Sequence, residues 1–333
     1  MQVFVTGATG FIGTQLAREL ARQGHTVRAL CRAGSDRSGL DHERIRIVEG
    51  DVLDRRSLQE GMAGCSQVYH LAAYARNWAT EGKVFFEVNV EGMRNVFAVA
   101  RAAGVRRVVL TSTIVTFGPT APGTVGDETT PRLTPRYYTE YEETKTRAET
   151  EALEHAARGF PVVIVNPCRV YGPGKMTEGN SVSRMVDLYT RGRFPLLLNG
   201  GRNVGNYVFV DDLVRGHILA MGKGTIGQRY ILGGENVSLA GLFRTVDELS
   251  GRKHIQLSLP PALARLYGKA ESARARWFGG SPQITPGWIE AFLQDWAYCS
   301  ARAERDLGYT ITPLREGLRR TCQWLLERRR KAA

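Results

Sequence analysis

The chain has 333 residues, beyond the size at which one hydrophobic core usually stops growing, so a large domain with an added lobe is expected. Apolar residues make up 43%, yet no uncharged apolar run reaches the roughly 18 residues of a membrane-spanning helix, which excludes an integral membrane protein of that kind. The formal charge of +12 admits nucleic acid, an anionic membrane surface or a polyanionic ligand, but no nucleic-acid motif is present, and the Arg328–Lys331 cluster reads as a solvated tail.

Met1 to Val5 enters a strand pattern at once, without the basic and apolar regions of a secretory signal. Strands are expected at Gln2–Thr6, Thr26–Cys31, Arg44–Glu49, Gln67–Leu71, Val105–Ser112 and Pro161–Asn166, from short β-branched or apolar runs. Between them fall helical patterns at Thr14–Gln23, Ser57–Met62, Val84–Gly104 and Glu140–Arg158. This alternation implies a doubly wound parallel sheet of the Rossmann type. Beyond Gly172 the alternation weakens, with helices expected at Val182–Arg191, Leu239–Ser250, Pro261–Phe278, Gly287–Ala291 and Pro313–Arg328. The organisation expected is α/β: a dinucleotide-binding region over 1–172 and a smaller α+β substrate lobe over 173–333, some of whose segments return to the first region. Five cysteines stand singly, at Cys31, Cys65, Cys168, Cys299 and Cys322. Their odd count and spacing suit reduced thiols and a cytoplasmic location, and no metal-ligating pattern is present.

Thr6-Gly7-Ala8-Thr9-Gly10-Phe11-Ile12-Gly13 follows a strand and opens a helix. Gly7 permits the tight turn, Gly10 lets backbone approach a pyrophosphate, and Gly13 lets the helix pack closely. The helix N-terminus then offers free N–H groups and a partial positive charge. At the end of the second strand, where an acid would bind ribose hydroxyls, stands Arg32, with Ser35 and Arg37 beyond it. A guanidinium there suits a 2′-phosphate, which favours NADP(H) and leaves NAD(H) open. Asp51, followed by Val52, ends the third strand where a carboxylate can accept from an adenine amino group.

Tyr141 and Lys145 lie four apart in a helical stretch and share a face. A tyrosine near its ordinary pKa of about 10 needs its phenolate stabilised to exchange a proton at neutral pH, and an ammonium one turn away supplies that charge. The fifth strand ends Leu110-Thr111-Ser112-Thr113, at the carboxyl edge where such sheets bind ligands.

These segments resemble the extended short-chain dehydrogenase/reductase family, also called the NAD(P)-dependent epimerase/dehydratase superfamily. So do His70-Leu71-Ala72-Ala73, Asn89-Val90-Glu91-Gly92, Asn166-Pro167, Val170-Tyr171-Gly172-Pro173-Gly174 and Tyr207–Asp212. The resemblance implies Tyr141 as general acid/base, Lys145 as its electrostatic partner and ribose ligand, and Thr113 as the hydroxyl on the reacting oxygen, with Ser112 the neighbouring alternative. Leu71, Ala72, Ala73 and Thr111 would lie along the cofactor, and Pro167 and Val170 would flank the nicotinamide. Asn89 would tie down backbone beside the site. Nucleotide-sugar epimerases of this family carry an Arg where Gly205 stands here, and Arg202 is out of register. Thr139-Glu140-Tyr141, Asn166-Pro167 and Tyr207–Asp212 resemble the dihydroflavonol reductase and 3β-hydroxysteroid dehydrogenase branch. That resemblance implies hydride transfer on a ketone or secondary alcohol of a small apolar or cyclic substrate. Tyr74 and Trp78 would form an aromatic wall for it, with Asn166 and Ser112 as further substrate residues. The alternatives are an epimerase or dehydratase using transient hydride transfer, and a non-catalytic dinucleotide-binding subunit. The resemblance also implies a homodimer through Val84–Gly104 and Glu140–Arg158. The basic amphipathic stretch Pro261–Phe278 has two readings, a helix lying on anionic lipid and a lobe helix with its charges in water.

Overall fold

The structure, a computed structural model, describes residues 1–76 and 78–332; Asn77 and Ala333, within the expected 1–172 and 173–333 regions, lie outside the described residues. The first half alternates β1 (Gln2–Thr6), α1 (Phe11–Arg22), β2 (Thr26–Cys31), β3 (Ile45–Glu49), α2 (Arg55–Met62) and β4 (Gln67–His70). After these come α3 (Lys83–Phe86), α4 (Gly92–Ala102), β5 (Arg107–Thr111), α5 (Glu140–Ala157), β6 (Val162–Pro167) and β7 (Arg169–Tyr171). The second half contributes α6 (Ser181–Thr190), β8 (Leu196–Leu198), β9 (Val204–Phe209), α7 (Val210–Lys223), β10 (Arg229–Leu232), β11 (Glu235–Ser238) and α8 (Leu239–Ser250). It closes with β12 (Leu257–Leu259), α9 (Pro261–Phe278), α10 (Pro286–Phe292), α11 (Ala301–Leu307) and α12 (Leu314–Ala332).

The main sheet has seven strands in the order β10-β6-β5-β4-β1-β2-β3, every pair parallel. Its central strands are apolar on both faces because helices cover both. Val3 and Val5 point to the side of α1 and α7, where they meet Leu16, Leu20 and Leu213. Phe4 points to the side of α2, α4 and α5, among Leu58, Val96, Phe97 and Ala148. Strand order reverses between β1 and β4, so the crevice for a ligand opens there, at the carboxyl ends of the strands. A small three-strand sheet, β11-β9-β7, carries the chain into a lobe with its own core of Tyr171, Val186, Tyr189, Phe243, Leu318 and Leu325.

The expected long helix Val84–Gly104 is instead interrupted by a π-helical turn at Glu87–Glu91 between α3 and α4. Apolar periodicity alone does not register one extra residue in a turn. The seventh strand, β10, and the helix α7 were also not expected. Arg229–Leu232 is too short to stand out, and α7 begins inside the Tyr207–Asp212 segment, which reads as strand up to Phe209.

Candidate active site

The β1–α1 turn is shaped by its glycines. Gly7 has φ +69°, and a Cβ on it would fall 2.7 Å from the Ala72 nitrogen and the Leu71 carbonyl carbon, so this turn packs directly on the segment leaving β4. A Cβ on Gly13 would fall on the Gly7 carbonyl oxygen, so α1 can only start this close to the strand with glycine there. Gly10 caps α1 without any side-chain bond to its amides, and the first turn holds no acid. The amide dipole therefore faces open space, as an anion site requires.

That space is a cavity of about 860 Å³ whose described walls include Gly7, Gly10, Phe11, Ile12, Gly13, Arg32, Asp51, Val52, Leu71, Ala72, Ala73, Tyr74 and Thr111. Most of the residues expected along the cofactor are thus brought to one crevice. Lobe residues Met176–Gly179 and Arg184 close its other side. Arg32 is exposed on the wall, whereas Arg37 turns to Glu49 at 2.5 Å. Tyr74 stacks edge-on to Phe85 at 4.8 Å. Trp78 is half-buried and not among the described walls of the cavity.

The proton-handling end is built on α5 and the end of β5. Thr139 caps α5 by accepting from the Glu142 amide at 3.1 Å. Buried Glu142 pairs with Arg132 and accepts from the Tyr138 amide, fixing the chain just before Tyr141. Lys145 is buried, and its Nζ donates to the Thr111 carbonyl at 2.9 Å. Burial pushes its pKa down to about 8, against the raising effect of Glu149. Tyr141 keeps part of its ring open, yet burial pushes its pKa up to about 12, with the Thr113 hydroxyl pulling the other way. The sequence argument expects the ammonium to lower this pKa. Here desolvation outweighs the lowering by the Thr113 hydroxyl, and the Lys145 ammonium is bonded to the Thr111 carbonyl. Thr113 Oγ1 sits at the start of a 3-10 turn, Ile114–Thr116. Neighbouring Ser112 has a buried Oγ without a hydrogen-bond partner among the described residues, and it is not among the described walls of the cavity.

Sequence reasoning missed the support behind this pair. Glu149, one turn beyond Lys145, is buried and accepts from Thr116 Oγ1 (3.0 Å), Asn166 Nδ2 (2.6 Å) and Arg229 Nη1 (3.1 Å). The i, i+4, i+8 spacing of Tyr141, Lys145 and Glu149 was the signal available. Asn166 is wholly buried and also donates to the Thr113 carbonyl at 3.2 Å, which sets it behind Thr113 and away from the crevice. Asn89 accepts from the Tyr74 amide at 2.7 Å and donates to Thr144 Oγ1 at 3.0 Å. It thereby joins the cavity wall to α5, and the π turn is what aims it there. His217 donates from Nδ1 to Leu213 and accepts from Thr111 Oγ1 at 2.9 Å. Lys175 of the lobe donates to the carbonyls of Thr9 (3.3 Å) and Asp36 (2.7 Å), a bridge without any sequence signal.

The sequence model of the NAD dependent epimerase/dehydratase family matches residues 3–233. The chain belongs to this family. Sterol demethylase protein B of Methylococcus capsulatus is 33% identical to it over 333 residues, covering 98% of this chain and 99% of that protein. A 3-beta-hydroxysteroid dehydrogenase of Mycolicibacterium neoaurum is 30% identical over 330 residues, covering 92% and 86%. The crystal structure of gox2253 matches with TM-score 0.82 and 32% identity over 98% of each chain. UDP-glucose 4-epimerase of Thermotoga maritima shares the fold at TM-score 0.81 and 22% identity, over 98% of this chain and 99% of that one. The protein is thus an enzyme of the extended short-chain dehydrogenase/reductase type.

Within this NAD-binding family the crevice fits a dinucleotide: a glycine cradle that no Cβ could enter and uncapped amides at α1. The position of the sugar-epimerase arginine is Gly205, and a Cβ there would fall 3.0 Å from Arg169 Nη1. The Arg169 guanidinium lies over the Tyr207 and Phe292 rings. Next to it, Asn206 is consumed internally, bonding Gly234, Asn236 and Tyr298. Pro167, at the end of β6, pairs with Leu232 of β10, and Val170 in β7 pairs with Val208; neither is among the described walls of the cavity.

Proposed function

We propose that the protein transfers hydride between a nicotinamide dinucleotide, NADP(H) in preference, and a ketone or secondary alcohol on a small apolar or cyclic substrate. The observation that carries this reading is the convergence on the end of β5: Lys145 on the Thr111 carbonyl, with Tyr141 and Thr113 beside it, at the inner edge of the glycine-floored crevice. The bound dinucleotide supplies the hydride in the reductive direction. Tyr141 gives its phenolic proton to the substrate oxygen and takes it back in the oxidative direction. A phenol held near 12 is a poor base at neutral pH but a competent proton donor to a developing alkoxide. Thr113 donates a hydrogen bond to the same oxygen, and the Lys145 ammonium supplies positive charge in a site shielded from water. Arg32 faces the adenosine end, where its guanidinium suits a 2′-phosphate. The apolar substrate is supported by Gly205 and Asn206, which leave no diphosphate clamp at that position, and by the names of the relatives cited above.

NADPH and NADH oxidation against a panel of ketosteroids, flavanonols and β-keto acyl compounds tests this, with nucleotide-sugar interconversion followed in parallel. Consumption of NADPH with an apolar ketone is expected. Tyr141→Phe should lower kcat by about two to four orders of magnitude while cofactor titration stays near wild type. Interconversion of a sugar without net cofactor use would overturn the reductase reading.

A further inference from the structure

The helix α9 has three faces. Ala264, Gly268 and Ala275 form its buried side, and a Cβ on Gly268 would meet Ile289 of α10. Leu263, Leu266, Tyr267, Ala270, Trp277 and Phe278 recur at i, i+3, i+4, i+7, i+14 and i+15 and are all exposed, Leu266 by 66%, Trp277 by 81% and Phe278 by 86%. Arg274, at i+11, falls within that stripe, whereas Lys269 and Arg276 lie on the polar face beyond its Leu266 edge and Arg265 lies nearly opposite. Arg265 is clamped to Glu290 at 2.6 Å and Arg274 to Glu271 at 3.0 Å. Lys269 and Arg276 have no carboxylate partner among the described residues.

A soluble face does not ordinarily expose two adjacent aromatics at a helix end on the same side as exposed Leu263, Leu266 and Tyr267. We infer that α9 docks on an anionic lipid surface, with Trp277 and Phe278 entering the headgroup boundary and Lys269 and Arg276 meeting lipid phosphates. The chemistry fits on both counts: aromatic rings at a helix tip favour the interface, and a basic flank on a chain of charge +12 is attracted to negative lipid. No described helix is long and apolar enough to cross a membrane, so the contact is peripheral. The buried side of α9 packs on α10, where a Cβ on Gly268 would meet Ile289, and a Cβ on Gly287 of α10 would fall on the Tyr138 carbonyl, so α10 joins the helix to the segment that leads into Tyr141. Docking on lipid does not depend on which compound is reduced, and vesicle binding reads it without turnover.

The test is co-sedimentation of the full chain with vesicles of phosphatidylcholine alone and of equimolar phosphatidylcholine and phosphatidylglycerol. Wild type should pellet with the anionic vesicles and be released by salt. Trp277→Ala with Phe278→Ala should lower the partition coefficient by about tenfold or more, with an unchanged thermal midpoint because both side chains are exposed. Lys269→Glu with Arg276→Glu should abolish the preference for phosphatidylglycerol. Absence of wild-type binding, or equal binding by the aromatic double variant, overturns the inference. So does a wild-type dimer that the aromatic double variant converts to monomer in analytical ultracentrifugation without any vesicle binding, since a second copy of the chain would then cover the stripe.

Discussion

Lys145 is the residue whose chemistry is most sharply set by its surroundings. Its ammonium donates to one carbonyl and feels the charge of the buried Glu149 carboxylate, yet burial leaves its pKa at about 8. Activity that needs the charge should therefore fall as pH rises through about 8, well below the ordinary lysine value near 10.4. Because Glu149 raises that pKa, Glu149→Gln should shift the basic limb of the kcat/KM profile to lower pH. A merely structural role for Glu149 would leave the limb in place. The same variant removes a charged acceptor from Arg229, Asn166 and Thr116, at a cost of about 1–3 kcal/mol of stability, readable by denaturant unfolding. At the other end of the crevice, Arg32→Ala should raise the KM for NADPH relative to NADH by roughly tenfold or more. An unchanged ratio would remove the case for a 2′-phosphate contact.

Among the elements, those set by strong local signals are legible in the sequence. Gln2–Thr6, Thr26–Cys31, Leu239–Ser250 and Pro261–Phe278 carry the expected boundaries, because β-branched runs, a Ser238 cap and a leading proline each fix an end. The glycine turn is legible for the same reason, since its backbone shape depends on residues adjacent in sequence. Gly13→Ala tests that shape: its Cβ would strike the Gly7 carbonyl. It should destabilise the fold by about 1–3 kcal/mol and weaken cofactor binding, seen in thermal unfolding and in cofactor titration. What escaped the sequence depends on contacts between distant segments. Glu149 meets Arg229 across 80 positions, Lys175 reaches Asp36 across 139, and β10 finds β6 only once α7 has turned the chain back. The π turn escaped because its only local trace is one residue in excess.

At the scale of the molecule, two histidines tie stability to pH. Burial holds His70 at about 3 and His217 at about 4, against 6.5 in the open chain. Both are neutral in the fold, so below about pH 6.5 the unfolded chain binds protons that the fold refuses, and stability falls with pH down through that window. The thermal midpoint measured from about pH 7 to about pH 4 should decline, and His217→Gln should make the decline shallower.

The return of β10 to the sheet has a consequence for any attempt to divide the protein. Arg229–Leu232 completes the sheet beside β6 and brings the arginine that faces Glu149. A chain cut after Gly172 would leave β6, whose Val162–Val165 run is apolar, as a bare edge with its amides and carbonyls unpaired on one side, a template for pairing with other copies. The N-terminal piece should accordingly be recovered as aggregate, and limited proteolysis of the intact chain should yield no stable fragment ending there. Folding of the nucleotide crevice thus waits on residues made after most of the crevice itself.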